Sequence, residues 1–170
     1  DNYNERVREP NGFALPNPPR DSRSFRTHDG KAHFIPHDLP DVNIPEDNYV
    51  MMTIRSHDQY NTTIYDLHDR YRGIHGNRRI VLMNASDMID RGWKNRHLVD
   101  IISHYNGQDR RSNSWQLVAY DIPRGNIATY FPEANVLIPL DSTAVKSNTP
   151  TSKWIICSLI NAERNHSEEE

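Results

Sequence analysis

The chain has 170 residues, enough for one domain with tails, and its 20 basic and 23 acidic side chains leave a formal charge of −3. This balance gives no support for a nucleic-acid or membrane-binding surface, and no apolar run approaches the ~18 residues of a membrane span. The single cysteine, Cys157, rules out an internal disulfide and a cysteine cluster for zinc or iron–sulfur. Because the chain does not start with the charged and then apolar segments of a secretory signal, we expect a cytoplasmic protein.

The first 48 residues differ from the rest of the chain in their proline content. Seven of the eleven prolines lie there. Because proline removes a backbone donor and breaks helix interiors, this stretch is predicted to be extended, without helix, and residues 1–23 are predicted to make few contacts with the folded part. Its one predicted element is a hairpin over residues 24–34, turned by Asp29-Gly30.

Apolar clusters concentrate between Tyr49 and Ile160, so one modest core is predicted there, followed by a mobile tail over residues 162–170. A short helix is predicted between Asn84, which can cap it, and Gly92, which stops it. Strands are predicted at 49–55, 80–83, 98–102, 115–120, 127–131, 136–138 and 153–160.

The number of short strands and the scarcity of helix favour a mainly β fold, either a compact barrel or a sandwich. Asn106-Gly107 is predicted to turn a hairpin between two of the strands. The side chains expected inside the fold include Trp154, Ile156, Val118 and Val81.

The densest polar cluster follows the first predicted strand and spans Thr53 to Thr63. It offers a guanidinium, an imidazole, two carboxamides and several hydroxyls. Arginine pairs phosphate bidentately, and carboxamides both donate and accept, so this cluster suits a ligand with a phosphate and a heterocyclic amide edge. It lacks the glycines of a P-loop or dinucleotide fingerprint. From composition alone, a polar loop that hydrogen-bonds to itself is the favoured alternative.

Two further polar positions adjoin apolar segments. Asn135 lies between apolar residues and is read either as a ligand contact or as an Asx-type turn. Lys153 leads into the last predicted strand and is read either as a site residue or as a solvated strand start.

No metal ligand is predicted, because the spacing of His28, His33 and His37 suits no common zinc template. Cys157 shares its strand face with Ile155 and Leu159, which predicts an inert core thiol. A small independent hydrolase is opposed by the absence of a G-x-S-x-G nucleophile elbow.

Residues 52–65 resemble the molybdopterin-dinucleotide-binding domain of the formate dehydrogenase and dimethyl-sulfoxide reductase superfamily, most closely its formate-dehydrogenase-like alpha-subunit branch. The chain also resembles further signatures of the same family, in the same order, at residues 25–34, 83–87, 120–125, 130–135 and 149–153. The chain departs from the family pattern at Asn95-Arg96-His97, where an altered turn is expected.

The resemblance implies a six-stranded double-psi β-barrel over residues 49–161, with residues 1–48 as a linker from preceding domains of the same polypeptide. In the family this barrel holds a bis(molybdopterin guanine dinucleotide) molybdenum cofactor for an oxidoreductase. The molybdenum ligand and an iron–sulfur cluster are implied for the preceding domains, so no catalytic residue is expected here. The alternative function is a stand-alone ligand- or protein-binding module built on the same barrel.

The resemblance also implies which residues contact the cofactor. They lie in the loop after the first strand, at the position of an asparagine that lies near the pterin in the family, and at the start of the final strand. The predicted cofactor-binding residues are Ile54, Arg55, Ser56, His57, Gln59, Tyr60, Asn61, Thr62, Asn135 and Lys153.

Overall fold

The computed structural model describes residues 2–39, 43–59 and 66–162. The chain divides into two compact units, Asp1–Asp41 and Val42–Glu170. Among the described residues, no helix combines the length and the apolar character needed to cross a membrane.

The N-terminal unit contains two short helices, α1 (Tyr3–Arg6) and α2 (Pro18–Ser22). The prediction that this stretch contains no helix is therefore wrong. Proline occupies the first positions of α2, where its missing N–H leaves no hydrogen bond unmade, and Asn17 caps the helix by accepting from the backbone N–H of Arg20. The proline pattern excluded long helices but not single turns.

The predicted hairpin over residues 24–34 is present only as its turn. The backbone N–H of Gly30 donates to the carbonyl of Thr27 at 3.3 Å, and Gly30 has a φ of 71°. The Thr27 hydroxyl donates to the carbonyl of Lys31 at 2.8 Å. Neither side of this turn is a strand, so the local contacts close the turn without a ladder.

Six strands of the second unit close into a barrel, which confirms the predicted fold class. A helix, α3 (Ala85–Asp90), follows the second strand, and a 3-10 helix (Glu133–Leu137) follows the fifth. The strands are β1 (Tyr49–Ile54), β2 (Ile80–Met83), β3 (Leu98–Tyr105), β4 (Gln108–Ala119), β5 (Asn126–Tyr130) and β6 (Ile155–Asn161). Around the barrel their order is β1-β5-β2-β4-β3-β6.

The register brings three chain segments to one end of the barrel. β1 and β5 are parallel, with Ile54 opposite Tyr130, so the loops that follow both strands leave at the same end. β6 is antiparallel to β1, with Met51 opposite Ile155, so the segment leading into β6 also lies there. β2 is parallel to β4, and the remaining pairs are antiparallel.

The barrel interior is filled by large apolar side chains, with Trp115 fully buried among them. Ile155, Cys157 and Leu159 alternate along β6 and all face this core, which confirms the prediction for the cysteine. Burial raises the pKa of the Cys157 thiol to about 12. The thiol is therefore protonated and unreactive near neutral pH.

Of the four side chains predicted inside, only Val81 is fully buried. Ile156 and Val118 are half-buried, and Trp154 is 51% exposed just before β6. β6 is apolar on both faces, so alternation alone did not distinguish the inward face from the outward one. The error was the choice of face for Trp154 and Ile156.

Local turn and cap chemistry explains the connections. The Asn84 side chain accepts from the backbone N–H of Ser86 and begins α3. Asn106 and Gly107 both have positive φ, which is the geometry of a tight hairpin turn. In the altered turn, Arg96 has a φ of 70°, and the Asn95 side chain accepts from the backbone N–H of Ala119 at 3.0 Å.

Two strand predictions differ most from the structure. β4 begins at Gln108, seven residues before the predicted strand at 115, and its first half is polar. The strand predicted at 136–138 falls largely within the 3-10 helix. The first half of β4 was missed because its polar side chains give no strand pattern. At 136–138, three apolar residues are too few to distinguish a strand from a helical turn.

Candidate functional site

A cleft of about 430 Å³ opens at the barrel end where β1 and β5 finish and β6 begins. Its polar wall includes the side chains of Arg55, Asn135 and Lys153. Its apolar wall is formed by Ile54, Phe131, Ile138, Pro139, Leu140 and Pro150. The structure thus brings together four of the predicted site residues from three separate segments of the chain.

Two cations face this cleft. The Arg55 guanidinium carbon lies 5.6 Å from the ring centroid of Phe131, and within the described residues Arg55 has no ion pair or side-chain hydrogen bond. The Lys153 ammonium donates to the backbone carbonyl of Thr53. Partial burial and the nearby Arg55 charge lower the pKa of Lys153. An anion placed here would relieve this repulsion between like charges.

The Asn135 side chain is open to the cleft. Its backbone N–H donates to the carbonyl of Pro132 at 2.9 Å, and its own carbonyl accepts from Ile138 at 3.1 Å. Both are backbone hydrogen bonds of the 3-10 helix. The side-chain amide of Asn135 makes no hydrogen bond to any other residue that the structure describes. The Asx-type turn is therefore not formed, and the amide is available to a ligand.

Ser56 and Gln59, also predicted as site residues, are buried behind the cleft rather than lining it. Both side chains accept from the guanidinium of Arg78, at 3.0 Å for the Ser56 hydroxyl and 2.9 Å for the Gln59 carbonyl. Ser56 and Gln59 are the two ends of a turn, in which the backbone N–H of Gln59 donates to the Ser56 carbonyl at 3.1 Å, and the two residues between them are exposed.

Arg78 is the residue that sequence reasoning missed. Its buried guanidinium also donates to the Glu133 carboxylate at 2.6 Å and to the carbonyl of Phe131 at 2.8 Å. It lies 4.8 Å from the ring of Tyr130. Arg78 therefore links the loop after β1 to the loop after β5. No sequence signal separates it from its neighbour Arg79.

His57 turns away from the cleft toward a buried carboxylate. Its Nδ1 lies 3.2 Å from Asp69, and its ring lies 4.5 Å from that of Tyr71. Asp69 also accepts from Arg72 at 2.5 Å and from the Tyr130 hydroxyl at 2.8 Å. Burial would raise the pKa of Asp69, but these hydrogen bonds outweigh it and lower the pKa below its usual value. The carboxylate thus stays ionised near neutral pH.

The remaining predicted site residues, Tyr60, Asn61 and Thr62, lie outside the described residues. Of the seven others, four line the cleft, two are buried on Arg78 and one is bound to Asp69. The cleft combines positive charge, an amide and apolar walls. Such a set of groups accepts an anionic ligand that also carries a flat heterocycle.

Comparison with known proteins agrees with this ligand class. The family model described as "Molydopterin dinucleotide binding domain" matches residues 49–156, which include all of the cleft-lining segments. An uncharacterized oxidoreductase of Mycobacterium tuberculosis is 51% identical over 164 residues, covering 94% of this chain. An uncharacterized oxidoreductase of Mycobacterium bovis matches equally well.

A more distant relative is Protein YdeP of Escherichia coli, which is 39% identical over 159 residues and covers 90% of this chain. In each of these comparisons the matched region is 21% of the relative's own length. The chain therefore spans about a fifth of the curated relatives that it matches.

Proposed function

Because this chain belongs to the molybdopterin-dinucleotide-binding domain family, we propose that its cleft holds part of a bis(molybdopterin guanine dinucleotide) molybdenum cofactor in a larger oxidoreductase. The observation that carries the proposal is the convergence of Arg55, Asn135 and Lys153 on one cleft at the end of a closed barrel. These side chains come from three segments, so their meeting is a property of the fold.

Each wall of the cleft has a chemical role toward such a group. Arg55 and Lys153 neutralise phosphate, because both are cations and a guanidinium can donate two parallel hydrogen bonds. Asn135 pairs with an amide edge of a heterocycle, since a carboxamide both donates and accepts. Ile54, Phe131 and Leu140 cover a flat ring and exclude water. When bound, the molybdenum centre supplies the redox chemistry, and this chain binds and orients the organic part.

The parent protein proposed here is a cytoplasmic oxidoreductase like formate dehydrogenase, with formate as its substrate class. The support is the similarity of residues 52–65 to that branch. The preceding domains of the same polypeptide are proposed to supply the molybdenum ligand, an iron–sulfur cluster and the opposite wall of the cofactor site. This chain provides no catalytic residue in that scheme.

Replacing Arg55 by alanine in the full-length protein is expected to lower cofactor retention by about ten- to a hundredfold. A charge-assisted hydrogen bond contributes roughly 1.5–3 kcal/mol, and about 1.4 kcal/mol corresponds to a factor of ten. Asn135→Ala removes the amide and is expected to act in the same direction. The measurement is molybdenum and pterin content per polypeptide after gel filtration.

Lys94→Ala is the matched control, because Lys94 is an exposed cation that does not line the cleft. It should retain the cofactor as the wild type does. Full occupancy and unchanged activity in both Arg55→Ala and Asn135→Ala would contradict the proposed function.

A further inference from the structure

The His–Asp cluster consists of three side chains that converge at the turn around Gly30 in the N-terminal unit: His28, Asp29 and His33. One potential ligand atom from each side chain lies within 4.8 Å of the other two. Nε2 of His33 is 2.8 Å from Oδ1 of Asp29, and the ring centroids of His28 and His33 are 5.4 Å apart. All three residues are exposed, so a cation can reach them from solvent.

The carboxylate of this cluster is held by the turn itself. The backbone N–H of Lys31 donates to Oδ1 of Asp29 at 3.1 Å, and the Thr27 hydroxyl oxygen lies 3.2 Å from the same atom. The hydrogen bond from His33 and then that from Lys31 lower the pKa of Asp29, so the carboxylate is ionised near neutral pH. Carboxylates that ligate metal ions are commonly held by hydrogen bonds of this kind.

The separations and the ligand types suit a transition-metal ion. Zinc–nitrogen and zinc–oxygen distances are ~2.0–2.2 Å, which places two ligand atoms of one ion roughly 3–4 Å apart. Small rotations of exposed side chains are fast and bring atoms that are 4.8 Å apart into that range. Two imidazole nitrogens and one carboxylate oxygen favour zinc or a similar ion, whereas magnesium and calcium prefer oxygen ligands throughout.

The spacing argument missed this cluster because it considered only the three histidines. His37 is not part of the cluster, and Asp29 takes its place. The turn, in which Gly30 has a φ of 71°, brings His33 back to Asp29, four residues earlier. The third ligand is therefore a carboxylate that the turn positions.

We propose that the His–Asp cluster binds a zinc ion, or a chemically similar divalent cation, through one atom of each of its three side chains. The ion takes the place of the hydrogen between Nε2 of His33 and Asp29, since a coordinating imidazole nitrogen carries no proton. Three protein ligands leave one position of a tetrahedral ion for water or for a further ligand. The inference rests on this cluster alone and not on the proposed function.

The ion fastens a turn that has no strand ladder. The contact between Thr27 and Lys31 closes the turn, but neither of its sides is a strand. Coordination ties His33, on one side of Gly30, to His28 on the other, and an ion that binds only the folded turn stabilises it. We therefore expect zinc to protect the chain from trypsin at Lys31, which is exposed and lies between the ligands.

Zinc uptake by the full-length protein tests the site. The protein is prepared without an affinity tag, treated with a chelator and titrated with zinc chloride in a calorimeter. We expect the wild type and the control His37→Ala to bind one zinc ion more per polypeptide than His28→Ala or His33→Ala. Loss of an outer partner of a metal ligand already costs about 10–100-fold in affinity, so loss of a ligand is expected to cost about tenfold or more.

Asp29→Asn separates coordination from turn formation. Asparagine keeps an oxygen that accepts from the Lys31 backbone N–H and is favoured in turns, but its uncharged amide is a weaker ligand. We expect its zinc affinity to fall by about tenfold or more. Without zinc, its trypsin cleavage after Lys31 should match the wild type. Zinc should slow that cleavage in the wild type and in His37→Ala, but not in the two histidine variants of the cluster.

Three results would overturn the inference. The first is equal zinc uptake by the wild type, His28→Ala and His33→Ala. The second is zinc protection at Lys31 that is the same in all variants, and the third is unchanged zinc affinity in Asp29→Asn. None of them bears on cofactor retention in Arg55→Ala, so this inference and the proposed function can fail separately.

Discussion

Replacing Trp115 by alanine is expected to lower the free energy of unfolding by about 3–5 kcal/mol. The ring is fully buried inside the barrel, its indole N–H donates to the Ser112 hydroxyl at 3.0 Å, and the Arg79 guanidinium lies 4.8 Å from it. Alanine would leave a large cavity and remove the indole hydrogen bond, although the Ser112 hydroxyl would still accept from Arg79 at 3.1 Å. Denaturant unfolding followed by far-ultraviolet circular dichroism measures the loss.

Trp154→Ala is the matched control, since the same residue type is half exposed there. Its expected cost is about 1 kcal/mol or less, because little apolar surface returns to water and no cavity forms. Equal losses for the two tryptophans, or a larger loss at Trp154, would show that the inward and outward faces of the barrel have been assigned wrongly.

Asp69→Asn is expected to cost about 3 kcal/mol or more near neutral pH, which is typical of breaking a buried ion pair. Asp69 is 1% exposed and accepts from both Arg72 and Tyr130. The amide keeps the shape but leaves the Arg72 cation without its anion. Asp58→Asn is the control, since Asp58 is exposed and its Arg70 partner is 3.7 Å away. There the expected cost is about 1 kcal/mol or less.

The Asp69 contribution should also depend on pH in a defined direction. Folding lowers the pKa of this carboxyl, so its stabilisation is fully present above the unfolded pKa of ~3.9 and is lost as pH falls through the lower folded value. The stability difference between wild type and Asp69→Asn should therefore narrow as the pH falls from about 4 toward the lower folded value. A difference that does not narrow in this acidic range would contradict the ionised assignment.

The sequence predicted the parts of the fold that depend on local chemistry. β2 was predicted with its observed bounds, because an uninterrupted apolar run marks a strand buried on both faces. α3 was predicted from Asn84 and Gly92, and the β3–β4 hairpin from Asn106-Gly107, since caps and tight turns need particular side chains. Barrel closure was implied only by the family resemblance, because strand order is a long-range property.

What the sequence did not predict depends on contacts distant in the chain. Arg78 lies in a polar stretch that reads as solvated loop, yet it is buried against Glu133, 55 residues further on. The loop residues were all predicted to contact the cofactor, whereas Arg55 faces the cleft and Ser56 and Gln59 face inward. Residue type identified the candidate polar groups, but only the fold decides which of them face the cleft.

The pairing of β1 with β6 has a consequence for engineering the barrel. Tyr49 lies opposite Cys157, so the beginning of β1 and the end of β6 at Asn161 are neighbours at the barrel end remote from the cleft. Asn161 is four residue steps beyond Cys157 along β6, or about 13 Å. A linker of a few residues could join them, and new termini could open in an exposed loop such as 145–148. Circular permutation of this kind would leave the strand order of the barrel unchanged.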